Sequence, residues 1–249
     1  MNGSITPILI PGLLCTAELF RDQLQALCDL AVRNSMVNAP EVVDTFSHDS
    51  IEAMAASALT ATRGPVVAIG LSMGGYVTLE MARIAPNRVQ GMALLSTSYK
   101  SDTADKRAQR MATIKMAKSE RFRGVTRHLL GSFLSPIALT DEALVARVLK
   151  MTQHVGRDAF ISQQTAILNR RDQSDTLAAF QGEILILCGL LDELTPPERS
   201  REMAALARHA DLRLLPEIGH LSSVEAPQAV SDSVLELIQR VCVKVVSHP

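Results

Sequence analysis

The sequence predicts an α/β fold: a mostly parallel sheet with helices on both faces and an all-helical lid inserted after the fourth strand. Three observations carry that expectation. Between residues 5 and 95, short apolar runs rich in β-branched residues alternate with stretches of helical periodicity, the βαβ rhythm of a parallel sheet. From residue 100 to residue 176 no strand pattern occurs, and helical segments are broken at Gly124, Gly131, Ser135-Pro136 and Gly156. The alternation then resumes and runs to the end. The expected organisation is therefore a core built from 1–99 and 177–249, with a lid over 100–176.

The elements follow in order. Residues 5–10 form a first strand stopped by Pro11-Gly12, and Thr16 is placed to cap a helix running to about Leu27. Ala31 to Val37 reads as a second strand, closed by Asn38-Ala39-Pro40. Asp49 or Ser50 opens a helix from Ile51 to Thr62. Pro65 to Ile69 is an apolar strand, and Tyr76 to Arg83 is helical up to the stop at Pro86. Arg88 to Leu95 is the fourth strand. Beyond the lid come a strand at Glu183–Gly189, a helix from Pro196-Pro197 to His209, a strand at Asp211–Leu215 and a last helix from about Pro227 to Val245.

Between the third strand and its helix lies Gly70-Leu71-Ser72-Met73-Gly74. A serine at the tip of so tight a turn is strained, and the flanking glycines remove side chains that would collide there. Such a turn lifts the hydroxyl of Ser72 clear of the sheet and offers the N–H of Met73 to a developing oxyanion. A glycine-rich turn whose serine merely caps the helix has the same local pattern. Two later turns discriminate. One follows the strand ending at Gly189 and holds Asp192 and Glu193; the other follows the strand ending at Leu215 and holds His220. Both lie at carboxyl ends of parallel strands, where open α/β sheets place their active sites. The order Ser72, Asp192, His220 is that of a nucleophile, a carboxylate that orients the base, and the base itself. Asp192 is preferred to Glu193 as the acid because the shorter carboxylate at that offset matches the usual pattern of such triads, and Glu193 stays the rival. Ser96-Thr97-Ser98, after the fourth strand, supplies no carboxylate. His48, His128, His154 and His209 have no matching partner and read as structural or surface residues.

Composition narrows the function classes. The chain has 249 residues, a formal net charge of −1 and no tryptophan, which gives no support for nucleic-acid or membrane binding. Cys15, Cys28, Cys188 and Cys242 are scattered without metal-ligand spacing, as in a reduced, cytoplasmic protein. The apolar run ending at Cys15 has no preceding Lys or Arg and is broken by Pro11-Gly12, so it reads as mature structure and not as a targeting segment. No run reaches transmembrane length. No metal or organic cofactor is implied. Oligomeric state is not legible.

The segments Leu9-Ile10-Pro11-Gly12-Leu13-Leu14, Gly70-Leu71-Ser72-Met73-Gly74-Gly75-Tyr76 and Gly219-His220-Leu221-Ser222-Ser223-Val224-Glu225-Ala226-Pro227 together resemble the α/β-hydrolase superfamily. They are similar to bacterial serine hydrolases and, more distantly, to esterases that cleave pimeloyl-carrier-protein methyl ester. The resemblance runs from the first strand to the last helix, and the chain starts almost at the strand usually counted third. It implies that the residue after the loop glycine, here Leu13, donates the second oxyanion N–H. Pro11 stands where those enzymes usually carry histidine. The implied reaction is cleavage of a small or medium carboxylic ester through an acyl-enzyme on Ser72. Thioester, lactone and carbon–carbon hydrolysis, acyl transfer, and a receptor with little turnover all use the same groups.

The lid is less explicit. Lys100, Lys106, Arg107, Arg110, Lys115, Lys118, Arg121, Arg123 and Arg127 outnumber Asp102, Asp105 and Glu120. That excess would steer an anionic acyl donor, although a solvated helix face accounts for it more simply. Phe122, Leu129, Leu130, Phe133 and Leu134 are expected to face the core or an acyl pocket. Gln163, Gln164, Arg170 and Asp172 either reach the substrate or anchor lid to sheet.

Overall fold

The computed structural model describes residues 3–119 and 129–247. Six parallel strands form one sheet: β1 (Thr6–Ile10), β2 (Glu41–Val42), β3 (Val66–Leu71), β4 (Val89–Leu95), β5 (Glu183–Gly189) and β6 (Ala210–Leu215). Their spatial order is β2-β1-β3-β4-β5-β6. Within each central strand an unbroken apolar run is shared between the two faces at period two. Leu9, Val67, Ile69, Ala93, Leu95, Leu185 and Leu187 pack into one core cluster. Their neighbours Ile8, Ile10, Val66, Ala68, Met92, Leu94, Ile184 and Ile186 pack into the other. Two buried faces are what a parallel sheet requires, because its crossover helices must lie on both sides.

Helices α1 (Arg21–Arg33) and α9 (Pro227–Ser247) cover the first face, while α2 (Ile51–Thr60) and α3 (Met73–Ile84) pack together over the second. The hydroxyls of Thr16 and Ser50 accept the amides of Glu18 and Ala53, so both expected caps form. Thr16 caps a short 3-10 turn (Ala17–Phe20) that leads into α1.

One strand lies elsewhere than expected. Ala31 to Arg33 complete α1, with Val32 fully in solvent, and Asn34 turns the chain by accepting the amide of Met36. Val37 makes only an isolated bridge to Ile5, and β2 pairs with Ile8 and Leu9 at Glu41–Val42. The edge is split because Pro40 has no N–H to contribute to a ladder. The helix from Pro197 also stops earlier, at Leu206.

The lid leaves the sheet after β4 as helices, as expected. Its described parts are α4 (Ala104–Lys118), α5 (Glu142–Asn169) and α6 (Ser174–Ala179), with short 3-10 turns at Leu129–Ser132 and Ala138–Thr140. Gly156 interrupts α5 with φ 78°, a conformation glycine adopts freely. Phe122, Gly124, His128, Arg121, Arg123, Arg127 and Glu120 lie outside the described residues. Between β5 and the end come α7 (Pro197–Leu206), the single turn α8 (Ser222–Glu225) and α9.

Candidate active site

Ser72 stands between β3 and α3 with φ 55° and ψ −114°. A non-glycine residue there carries strain of about 1–3 kcal/mol, held in place by its surroundings. Those surroundings are specific. The Ser72 N–H donates to the Leu95 carbonyl at 2.9 Å, and its own carbonyl accepts Gly75 N–H at 2.9 Å and the Thr97 hydroxyl at 2.7 Å. A Cβ on Gly74 would lie 1.9 Å from the Ile10 carbonyl oxygen, and one on Gly70 2.2 Å from that of Gly74, so neither position admits a side chain. Ser72 makes no side-chain cap to α3, which removes the reading of the serine as a helix cap.

Asp192 and His220 meet from two separate strand ends. His220 Nδ1 lies 3.0 Å and 2.9 Å from the two Asp192 carboxylate oxygens, and both residues are buried. Asp192 Oδ1 also accepts the amides of Leu194 and Thr195, and Oδ2 accepts the Thr195 hydroxyl at 2.8 Å. Burial alone would raise the pKa of this carboxyl. The hydrogen bond and charge of His220, with the donors of Thr195, outweigh it and hold the group below its ordinary range. An ionised Asp192 facing Nδ1 keeps the imidazole proton there and leaves Nε2 as the basic nitrogen. Glu193, the other acid of this turn, is exposed.

The histidine loop is fastened to the lid. The Phe133 carbonyl accepts the amides of His220 and Leu221, each at 3.1 Å, and its ring meets the imidazole edge-on with centroids 6.4 Å apart. Glu225 Oε2 accepts Ser135 N–H at 2.9 Å from the lid and Gly219 N–H at 3.0 Å from the loop.

Leu13, in the loop after β1, lines the cavity described next. Met73 is the first residue of α3, whose initial amides have no intrahelical acceptor. Gly12 brings the preceding loop against the serine, since a Cβ there would be 3.4 Å from that of Ser72. Leu14 has φ 60° and its N–H is held at 3.0 Å by Gln163 Oε1, which reaches down from α5. The amide of Gln163 also donates to Thr45. Gln163 therefore ties lid to core, whereas Gln164 and Arg170 line the cavity described next. Asp172 caps Ser174.

A cavity of about 700 Å³ opens between sheet and lid, and both Ser72 and His220 line it. Leu129 and Phe133 face it too, while Leu130 and Leu134 are buried in the core. Cys15 also lines it, but burial pushes its thiol up to about 12, which leaves it unreactive. His154 and His209 are exposed and His48 half-buried. Among the described residues no cluster of His, Cys, Asp and Glu is arranged to hold a metal, and no helix is long and apolar enough to cross a membrane.

Thr195 and Glu225 were not anticipated. The first had a signal, a threonine three residues after an aspartate in a turn. Glu225 follows Ser222 at the spacing of a capping box, but its carboxylate turns to Gly219 and Ser135 instead.

A strained strand–serine–helix elbow that shares one cavity with a buried histidine–carboxylate pair, on a parallel sheet with a helical lid, defines a class of site. The chain belongs to the alpha/beta hydrolase family, whose model matches residues 8–233. It is 27% identical over 204 residues to the pimeloyl-[acyl-carrier protein] methyl ester esterase of Yersinia enterocolitica, covering 78% of each chain. Among solved structures, an esterase from Thermogutta terrifontis superposes with a TM-score of 0.85 at 22% identity, covering 96% of this chain and 91% of that one. The enol-lactonase of Burkholderia xenovorans superposes with a TM-score of 0.78 at 19% identity, covering 95% and 92%. At those identities the likeness to the solved structures concerns the fold.

Proposed function

We propose that this protein is a serine hydrolase that cleaves a small or medium carboxylic ester through an acyl-enzyme on Ser72. The observation that carries the proposal is that Ser72, on its strained elbow, and His220, backed by Asp192, line one cavity. About 700 Å³ lies in the range of sites for small and drug-sized ligands. The esterase among the curated relatives, at 27% identity, supports the reaction class.

The chemistry follows from these groups. His220 Nε2 takes the proton of the Ser72 hydroxyl as Oγ forms a bond to the ester carbonyl carbon, and the carbonyl π electrons move to oxygen. The amides of Leu13 and Met73 stabilise that oxyanion. Its collapse breaks the bond to the alcohol oxygen, which leaves with the proton from His220. Water then repeats the sequence: His220 removes a proton, hydroxide adds to the acyl carbon, and Ser72 departs with the proton. Throughout, Asp192 holds the imidazole and offsets its transient positive charge.

The test is turnover of p-nitrophenyl esters of increasing acyl length, together with labelling by a fluorophosphonate. The wild-type protein is expected to label at Ser72 and turn over. Ser72→Ala should fold and lose on the order of a millionfold in rate. Retention of more than a few per cent of activity by that variant refutes the serine mechanism. Labelling without turnover by the wild type would mark a receptor instead.

A further inference from the structure

Beyond the apolar surface expected of an acyl pocket, the cavity lining carries an imbalance of charge. Among the described residues, Lys100, Lys106, Arg110, Arg170 and Arg199 line it with one carboxylate, Asp102. Both oxygens of Asp102 are taken: Arg170 Nη2 donates to Oδ1 and Arg110 Nε to Oδ2, each at 2.8 Å, and its side chain is 1% exposed. Burial works to raise the pKa of this carboxyl, but the two guanidinium groups outweigh it and hold it below the ordinary range. One buried anion between two fixed cations leaves a net positive charge on the cavity wall.

The arrangement is also rigid. The Arg170 guanidinium lies 4.3 Å from the ring centre of Tyr76, which itself lines the cavity and sits one helical turn beyond Ser72. Arg170 Nε and Nη1 are held by the carbonyls of Lys100 and Ile167. Arg110 Nη1 donates to Gln164 Oε1, so among the described residues only its Nη2 lacks an acceptor. Lys106, exposed on the next turn of α4 toward the N-terminus, has no described ion-pair partner. Lys100 and Arg199 share Glu202 in a second, more exposed trio that also carries a net positive charge. A solvated helix face accounts for Arg107, which is exposed and bonded to the Leu168 carbonyl. It does not account for cations that line the same cavity as the serine.

Resting on the esterase reading, we propose that the cavity contains an anion subsite. Lys106 and the free donor of Arg110 contact it, while Asp102 and Arg170 hold Arg110 in place. The substrate class is an ester that bears a carboxylate elsewhere in the molecule. A guanidinium held by a buried carboxylate presents its remaining N–H in a fixed direction, which suits a planar carboxylate. A neutral ester leaves those donors unanswered.

The carboxylate has two possible places in an ester, and two pairs of probes separate them. For the acyl side, mono-p-nitrophenyl adipate is compared with p-nitrophenyl hexanoate; for the alcohol side, 4-carboxyphenyl hexanoate with phenyl hexanoate. In one pair the anionic probe is expected to show kcat/KM at least tenfold above its neutral partner at low salt. That ratio should shrink in 0.5 M NaCl, where screening acts over only a few ångströms. Lys106→Glu and Arg110→Gln should each lower the ratio at least fivefold. The exposed position of Lys106 ensures that its variant folds. Ratios near one in both pairs, or ratios that neither substitution changes, overturn the subsite while leaving an esterase that cleaves the neutral probes. Failure to cleave any of the four overturns the esterase reading and the subsite together.

Discussion

The backbone carbonyl of Phe133, in the lid, accepts the N–H of His220 at 3.1 Å. The residue read as the general base is thereby held by the insertion as well as by the sheet. Glu225 reinforces the connection, because one carboxylate oxygen bridges Ser135 of the lid and Gly219 of the histidine loop. Its other oxygen is buried without a described partner. A charged acceptor makes both of these hydrogen bonds stronger than neutral ones.

Glu225→Gln tests whether that bridge sets the position of His220. The amide is close in shape but is a weaker acceptor, so the loop should sample misaligned positions. We expect kcat for an ester to fall about tenfold with KM nearly unchanged, the signature of an interaction needed in the transition state. Measured steady-state rates alongside a melting curve decide it: an unchanged kcat with a lowered Tm reduces Glu225 to a structural role.

The two acids of the 192–193 turn give a sharper contrast. Asp192→Asn should keep the fold and lower kcat by about three to four orders of magnitude at neutral pH, because the amide holds the wrong tautomer and cannot offset the imidazolium. Glu193→Gln should change little, since an exposed carboxylate contributes well under 1 kcal/mol. If the mutants' rates come out in the opposite order, the acid is Glu193.

Acid stability follows from the depressed pKa of Asp192. A carboxyl whose folded pKa lies below its unfolded value adds stability above the unfolded pKa. It loses that contribution as pH falls through the folded one. The wild type should therefore exceed Asp192→Asn in Tm by a margin that is full at pH 6 and shrinks once pH drops below about 4. Asp102 and Glu183, also depressed, destabilise both proteins together in acid, so the difference isolates Asp192. Thermal melts between pH 3 and pH 7 provide the measurement. A margin independent of pH would show that the pair adds nothing to folding.

Local pattern was enough for the elbow and for the strand ends that carry Asp192 and His220. An apolar run, a glycine that a side chain would forbid and a helix start are adjacent in the chain, and backbone sterics act between neighbours. The same pattern misread residues 31–37, because a two-residue edge strand that begins just after a proline has too short a run to register and α1 claims the apolar residues before it. Tertiary structure alone decided the rest. Asp192 and Glu193 leave one turn, yet one is buried against His220 and the other is in solvent. Gln163 and Gln164 are consecutive on α5, yet the first clamps Leu14 and the second lines the cavity. Composition gave the lid's basic residues no direction. Where a side chain on a helix points depends on which distant elements pack against that helix, and spacing along the chain does not carry that information.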